Sequence, residues 1–226
     1  MTMTPHRLLT RRRALTLTAG GALLLALPGV ALAQRRPAAP IDEVAIDELM
    51  KTGNLPDVIV GKADAACTIV EYASMTCPHC AAFHTVVFPK IKEKYIDTGK
   101  VRFVFREFPL DDLAKAASML ARCAGGEKTY PLLAILFAKQ EEWAFVRTNP
   151  VPELFKIAKQ AGFTQETFEK CLTDQKLLDD VTAMRDTASA KFGISGTPTF
   201  FINGRRLTDG PSFEAFEKAI AATIKS

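Results

Sequence analysis

The sequence predicts an α/β fold: a β-α-β half and a β-β-α half, with an all-helical block inserted between them. Three observations predict it. Two runs rich in β-branched and aromatic residues, "CTIVEYAS" (67–74) and "VRFVFREF" (101–108), bracket a stretch with helical apolar spacing. From 111 to about 192 only helical patterns recur. Strand pattern returns in "TFFING" (199–204), and a final amphipathic helix follows.

The elements follow in order. Residues 1–33 read as an export signal, with a basic start, an apolar middle and a small-residue end. Ala31-Leu32-Ala33 suits cleavage before Gln34, and the apolar run from Ala14 to Leu27 is short for a membrane span. Thr10-Arg11-Arg12 gives it a twin-arginine character, although the Phe and Lys usual in such signals are missing; Sec export stays open. Residues 34–56 form a linker with a short helix over Ile41–Lys51, and Asp57 to Val60 is a brief strand.

The strand at 67–74 leads into "CPHC" and then into a helix with apolar residues at Phe83, Val87, Ile91 and Tyr95. Pro89 is expected to kink that helix and Gly99 to end it. Within the helical block, Trp143 and the "LLAILF" stripe read as core. Asn203-Gly204 is a hairpin turn into Arg205-Arg206, and Ser212 caps the last helix.

The formal charge is +4, but four of the 29 Lys and Arg lie in residues 1–33, which hold no Asp or Glu. The rest carries 25 basic against 25 acidic side chains. A neutral mature chain offers no electrostatic footprint for nucleic acid.

The chemistry concentrates in Cys77-Pro78-His79-Cys80. Covalent haem attachment needs His after the second cysteine, and position 81 is Ala. A structural zinc site needs a second ligand pair, and Cys67, Cys123 and Cys171 each stand alone. Redox exchange suits the setting. A thiol at a helix start meets unsatisfied N–H groups and the positive end of the dipole. Such surroundings lower a thiol from about 8.5 to roughly 3.5–7.5. Cys77 is the expected exposed attacker and Cys80, one turn in, the buried resolving thiol. His79, if protonated near the sulfur, adds to the effect, and Pro78 occupies the first helical position without losing a needed N–H.

Glu71 six residues before Cys77, the "CPHC" itself and "GTPTFFING" near the end together resemble the DsbA family of thiol:disulfide oxidoreductases. The resemblance covers most of 57–226, with the helical insertion at about 111–192, and implies a thioredoxin fold. It implies a cis peptide bond at Thr197-Pro198, beside the Cys77–Cys80 pair, with the Thr197 backbone offered to an extended substrate. It implies that Glu71 is a buried acid behind the resolving cysteine; the alternative is an edge position in water. Arg106 or Glu107 on the neighbouring strand is a candidate to tune that acid, and alternation leaves open which points inward. His84 is expected to be a solvated or half-buried helix residue with no role.

Further expectations follow. Cys123 and Cys171 pair in an oxidising compartment, and Cys67 is a buried free thiol. The chain donates its Cys77–Cys80 disulfide to reduced or unfolded exported proteins in the periplasm and acts as a monomer. A membrane quinone-linked partner of DsbB type reoxidises it. No nucleotide, flavin or metal cofactor is called for. A disulfide isomerase or reductase is the alternative, favoured by Thr197 and opposed by an N-terminal segment too short for a dimerisation domain. A non-enzymatic metal-binding or holdase module is the third reading.

Overall fold

The computed structural model describes residues 41–51 and 53–224. The expected export signal, its cleavage site after Ala33 and the linker up to Pro40 lie outside the described residues. Five strands form one mixed sheet in the order β1-β3-β2-β4-β5: β1 (Val58–Val60), β2 (Cys67–Ala73), β3 (Val101–Glu107), β4 (Thr199–Ile202) and β5 (Arg205–Arg206). β2 runs parallel to β3 and antiparallel to β4. Every residue of β2 is buried, as its unbroken Val/Ile/Tyr-rich run requires of a central strand covered on both faces.

Parity decides the faces, because successive side chains point to opposite sides. Cys67, Ile69 and Ala73 of β2 join Phe103 and Phe105 of β3 and Phe200 and Ile202 of β4 in the larger core. Val70, Tyr72, Val104 and Phe201 build a smaller core with Leu49, Phe192 and Ile194 on the reverse side. Glu71 therefore shares the odd-numbered face, opposite Phe105 and Phe200 in register. Arg106 falls on the Tyr72 side, where its guanidinium bonds both carboxylate oxygens of Asp57 (2.7 and 2.9 Å) and the Tyr72 hydroxyl (2.8 Å). Glu107 accepts from Arg122 (2.5 and 2.6 Å). Neither side chain bonds Glu71: both expected tuners are committed to buried ion pairs of their own.

The expected helix over Ile41–Lys51 shortens to α1 (Ile46–Leu49). The hairpin of β4 and β5 claims the residues before it. Val44 N–H donates to the Gly204 carbonyl and Arg206 N–H to the Asp42 carbonyl, both at 2.8 Å. Gly204 sits at φ +88°, and a Cβ there would stand 2.0 Å from the Val44 carbonyl oxygen, so only glycine admits this approach.

After β2 the chain enters α2 (Pro78–Ala82), a π-helical turn (Phe83–Val87) and α3 (Phe88–Ile91). Pro89, second in α3, has no N–H to donate to the preceding turn, and the disruption expected there takes the form of that wider turn. The inserted helices are α4 (Asp112–Ala124), α5 (Thr129–Ala138), α6 (Gln140–Trp143), α7 (Val151–Gln160), α8 (Gln165–Leu172) and α9 (Gln175–Phe192). Leu132, Leu133, Leu136, Phe137 and Trp143 enter the larger core, and the Trp143 indole N–H donates to the Leu136 carbonyl (2.8 Å). The end of α9 covers the reverse face through Ala188 and Phe192. The chain closes with α10 (Phe213–Ile224), where the Ser212 hydroxyl accepts from Ala215 N–H (3.2 Å). Among the described residues no helix is long and apolar enough to cross a membrane.

Cys123 at the end of α4 is bonded to Cys171 in α8, 48 positions further along the chain, while Cys67 is a buried free thiol. Closing a loop of that length constrains the unfolded chain by about 4 kcal/mol in the entropy model. Replacing both cysteines with Ala is expected to lower unfolding free energy by up to about 4 kcal/mol, measured by denaturant titration of the active-site-oxidised protein. A change indistinguishable from zero would show that the bridge constrains nothing.

Candidate functional site

The site begins where β2 ends. Ser74, Met75 and Thr76 turn the chain out of the sheet and Cys77 takes the N-cap of α2 with extended backbone (φ −84°, ψ 118°). Proline fits the first helical position because its missing N–H would have no partner there. Three groups fix the turn. Cys77 N–H donates to the Ser74 carbonyl (3.1 Å). The Thr76 hydroxyl donates to Asp111 (2.6 Å), whose other oxygen caps α4 by accepting from Ala114 N–H (2.7 Å). The buried Gln140 amide, from α6, donates to the Met75 carbonyl (2.7 Å) and the Cys77 carbonyl (3.1 Å). Gln140 gave no signal in the sequence, where one glutamine beside a core helix looks like any surface residue.

Cys77 and Cys80 stand as two thiols. Cys80 is fully buried and Cys77 retains 5% exposure, so the attacker is less open than expected although it remains the more accessible of the two. Their proton affinities diverge. Cys77 is lowered to about 5, first by a hydrogen bond from Cys80, against partial burial, then by Thr197 and by the backbone N–H groups of Cys80 and His79. The imidazole of His79 points into solvent; what this residue gives the sulfur is its main-chain N–H. Burial raises Cys80, and the hydrogen bond it gives Cys77 and the charge of Glu71 add to the rise.

Opposite the pair lies Thr197-Pro198, joined by a cis peptide bond. The Cys77 thiol lies 3.3 Å from the Thr197 carbonyl and donates to it. That contact favours the protonated sulfur, while the nearby Thr197 side chain favours the anion; its hydroxyl is buried and hydrogen-bonded to no protein group. The hydrogen bond from Cys80, joined by the N–H donors at the helix start, decides the balance for thiolate. Cys67, with no such donors, is pushed the other way, to about 12, by burial alone.

Glu71 is completely buried beneath the pair, which excludes the edge position. Its Oε2 lies 2.7 Å from His84 Nε2, and His84 Nδ1 lies 3.2 Å from the Tyr130 hydroxyl. His84 is itself buried and stacks on Phe137 with ring centroids 4.3 Å apart and planes 7° from parallel. The expectation of a solvated or half-buried His84 is overturned: the side chain is buried and bonded at both ring nitrogens. Four residues beyond Cys80, it falls one helical turn further on and on the same side as that thiol, so it points back onto β2. That spacing from the motif, together with a buried carboxylate needing a partner, was the signal available. Burial raises Glu71 above the usual carboxylate value, and His84 partly opposes the rise. Among the described residues no cluster of three or more His, Cys, Asp or Glu is placed to hold a metal ion.

At pH 7 a thiol with a pKa of about 5 is thiolate by roughly a hundred to one. A depressed pKa stabilises the dithiol form fully above the unfolded thiol value and loses that stabilisation as pH falls through the folded value. Unfolding of the dithiol and disulfide forms between pH 4 and 10 is therefore expected to give a stability difference that shifts towards the dithiol from about pH 5 to about pH 9. Absorbance at 240 nm is expected to titrate near pH 5. A midpoint near 8.5 would contradict the geometry.

The thioredoxin family model matches residues 53–222. A Rickettsia bellii protein named as a protein-disulfide oxidoreductase is 37% identical over 171 residues, covering 75% of this chain and 65% of that protein. The chain thus spans just under two thirds of that relative's length. Disulfide bond formation protein D of Bacillus anthracis is 30% identical over 176 residues, covering 74% of this chain and 77% of that protein. The crystal structure of Wolbachia pipientis alpha-DsbA1 aligns with a TM-score of 0.73 at 32% identity, over 80% of this chain and 96% of that one.

Proposed function

This chain belongs to the thioredoxin family, in its DsbA branch, and from that premise we propose that it is a dithiol oxidase, donating the Cys77–Cys80 disulfide to exported proteins. The observation that carries the reading is the divided proton affinity of the pair: Cys77 lowered to about 5 and Cys80 raised. A sulfur that prefers the anion is a good leaving group, so a disulfide containing it passes readily to another thiol.

The geometry supports the following steps. A substrate thiolate attacks Sγ of Cys77; the bond to Cys80 breaks and its electron pair goes to the buried sulfur. Cys80, disfavoured as an anion, takes a proton from the Glu71 side. A second substrate thiolate then attacks the mixed disulfide, and Cys77 leaves as the thiolate that the helix N–H groups stabilise. The substrate gains a disulfide and the protein is left as the dithiol. The loop at Thr197-Pro198, in contact with Cys77, is where an extended substrate segment lies. Regeneration falls to a membrane quinone-linked protein of DsbB type.

The work site is the periplasm, reached by cleavage after Ala33. The Cys123–Cys171 bridge supports that placement, since structural disulfides persist in oxidising compartments.

The test is transfer to a reduced, unfolded disulfide protein at pH 7. Wild-type protein is expected to oxidise it faster than glutathione disulfide does, Cys77→Ser to do nothing, and Cys80→Ser to accumulate a covalent adduct through Cys77. Transfer by Cys77→Ser at the wild-type rate would refute the reading. The redox state in the cell separates oxidase from isomerase: mostly disulfide for the first, mostly dithiol for the second.

A further inference from the structure

Glu71 uses its two oxygens unequally. Oε2 is bonded to His84, while Oε1 is buried and bonded to no protein group. The other end of His84 meets the Tyr130 hydroxyl, and Tyr130, in α5, is half-buried. The three groups thus form a row from the base of the cysteine pair towards the surface. The ring of His84 is otherwise walled by Phe83 and Phe88 of its own helix, Phe103 and Phe105 of β3, and Phe137 of α5. The titratable groups facing it are Glu71 from β2 and Tyr130 from α5; Cys77 and Cys80 reach it through the charge of Glu71.

We propose that His84, held by Tyr130, is a positioning residue that pins Oε2 of Glu71 and so reserves Oε1 for exchanging a proton with the Cys80 sulfur. This rests on the oxidase reading and adds to it the device that keeps the buried acid in service. Tyr130 O–H donates to Nδ1 of a neutral imidazole, which places the ring proton on Nε2, and Nε2–H donates to Oε2. Oε1 is then the oxygen left to serve sulfur.

When the Cys77–Cys80 bond breaks, the proton on Oε1 moves to Cys80 and Glu71 becomes a carboxylate. Nε2–H of His84 meets that charge, which would otherwise be unpaired in a buried site. On regeneration the flow reverses. The disulfide of a reoxidising partner is attacked by Cys77, Cys80 S–H gives its proton to Oε1, and the Cys80 thiolate attacks the mixed disulfide, releasing the partner's thiolate. Phenylalanine in place of Tyr130 removes the group that fixes the tautomer; glutamine in place of His84 keeps a donor but cannot complete the row.

The test follows the Glu71 carboxyl by carbon NMR against pH, and the rate at which the dithiol re-forms its disulfide from glutathione disulfide, in wild type, His84→Gln and Tyr130→Phe. In His84→Gln the Glu71 titration is expected to move up, because the amide keeps a donor but not the rest of the lowering that the imidazole gives. Disulfide re-formation at pH 7 is expected to slow by about tenfold or more, with the Cys77 thiolate titration still near 5. Tyr130→Phe should shift both in the same direction by less. If His84→Gln does not fold, Tyr130→Phe carries the test through the same two readouts. Unchanged Glu71 titration and unchanged rate in a folded variant would overturn the proposal. If wild type transfers no disulfide at all, the oxidase reading falls instead, and the carboxyl titration still judges the role of His84.

Discussion

One constraint governs this molecule: a sulfur anion has to be comfortable at the end of a buried strand. β2 is covered on both faces, so a charge at its end would ordinarily be expelled. Here the chain turns into a helix at that point, and the first N–H groups of the helix, which have no partner within it, face the sulfur of Cys77. The remaining features hold that arrangement in place. Gln140 ties down the two carbonyls that flank the turn, Asp111 ties Thr76 to the start of α4, and the Thr197-Pro198 loop closes the other side. The helical insertion is thus part of the site: it supplies Gln140 and Tyr130 as well as a cover for the apolar face.

The same strand carries the counterpart. Glu71 is as deeply buried as Cys80, and burial makes both hold protons more firmly. A buried acid with no partner would cost several kcal/mol; His84 offsets that cost at one oxygen. The site therefore places two proton-holding groups beneath one proton-shedding group. The outer sulfur is thus the one that favours the anion and the inner one the one that favours its proton.

The strands were legible because apolar content with β-branching marks a central sheet, and β2 and β3 fall within a residue of their sequence limits. The first helix was misjudged because the main chain of Asp42 to Val44 pairs with the hairpin some 160 residues later, and sequence-local pattern holds no trace of that pairing. Pro198 is legible only through the family resemblance of "GTPTFFING", whereas Cys77 and Cys80 are visible as a motif because their chemistry depends on local spacing. His84 was misread for the opposite reason. Its partners, Glu71 and Tyr130, lie 13 and 46 positions away, and a lone histidine on a helix looks solvated until the sheet beneath it is known. Arg106 or Glu107 was open as a tuner of Glu71 because strand parity was undecided; parity sends Arg106 to the reverse face, and Glu107, on the Glu71 face, is taken by Arg122 from the inserted helices.

The most direct measurement is the reduction potential of the Cys77–Cys80 pair, from equilibration with glutathione at pH 7. A thiolate favoured at Cys77 stabilises the dithiol and makes the disulfide oxidising, so the potential should lie above about −200 mV. A value below about −250 mV would mean that the disulfide is the preferred form and that the helix start does not stabilise the anion.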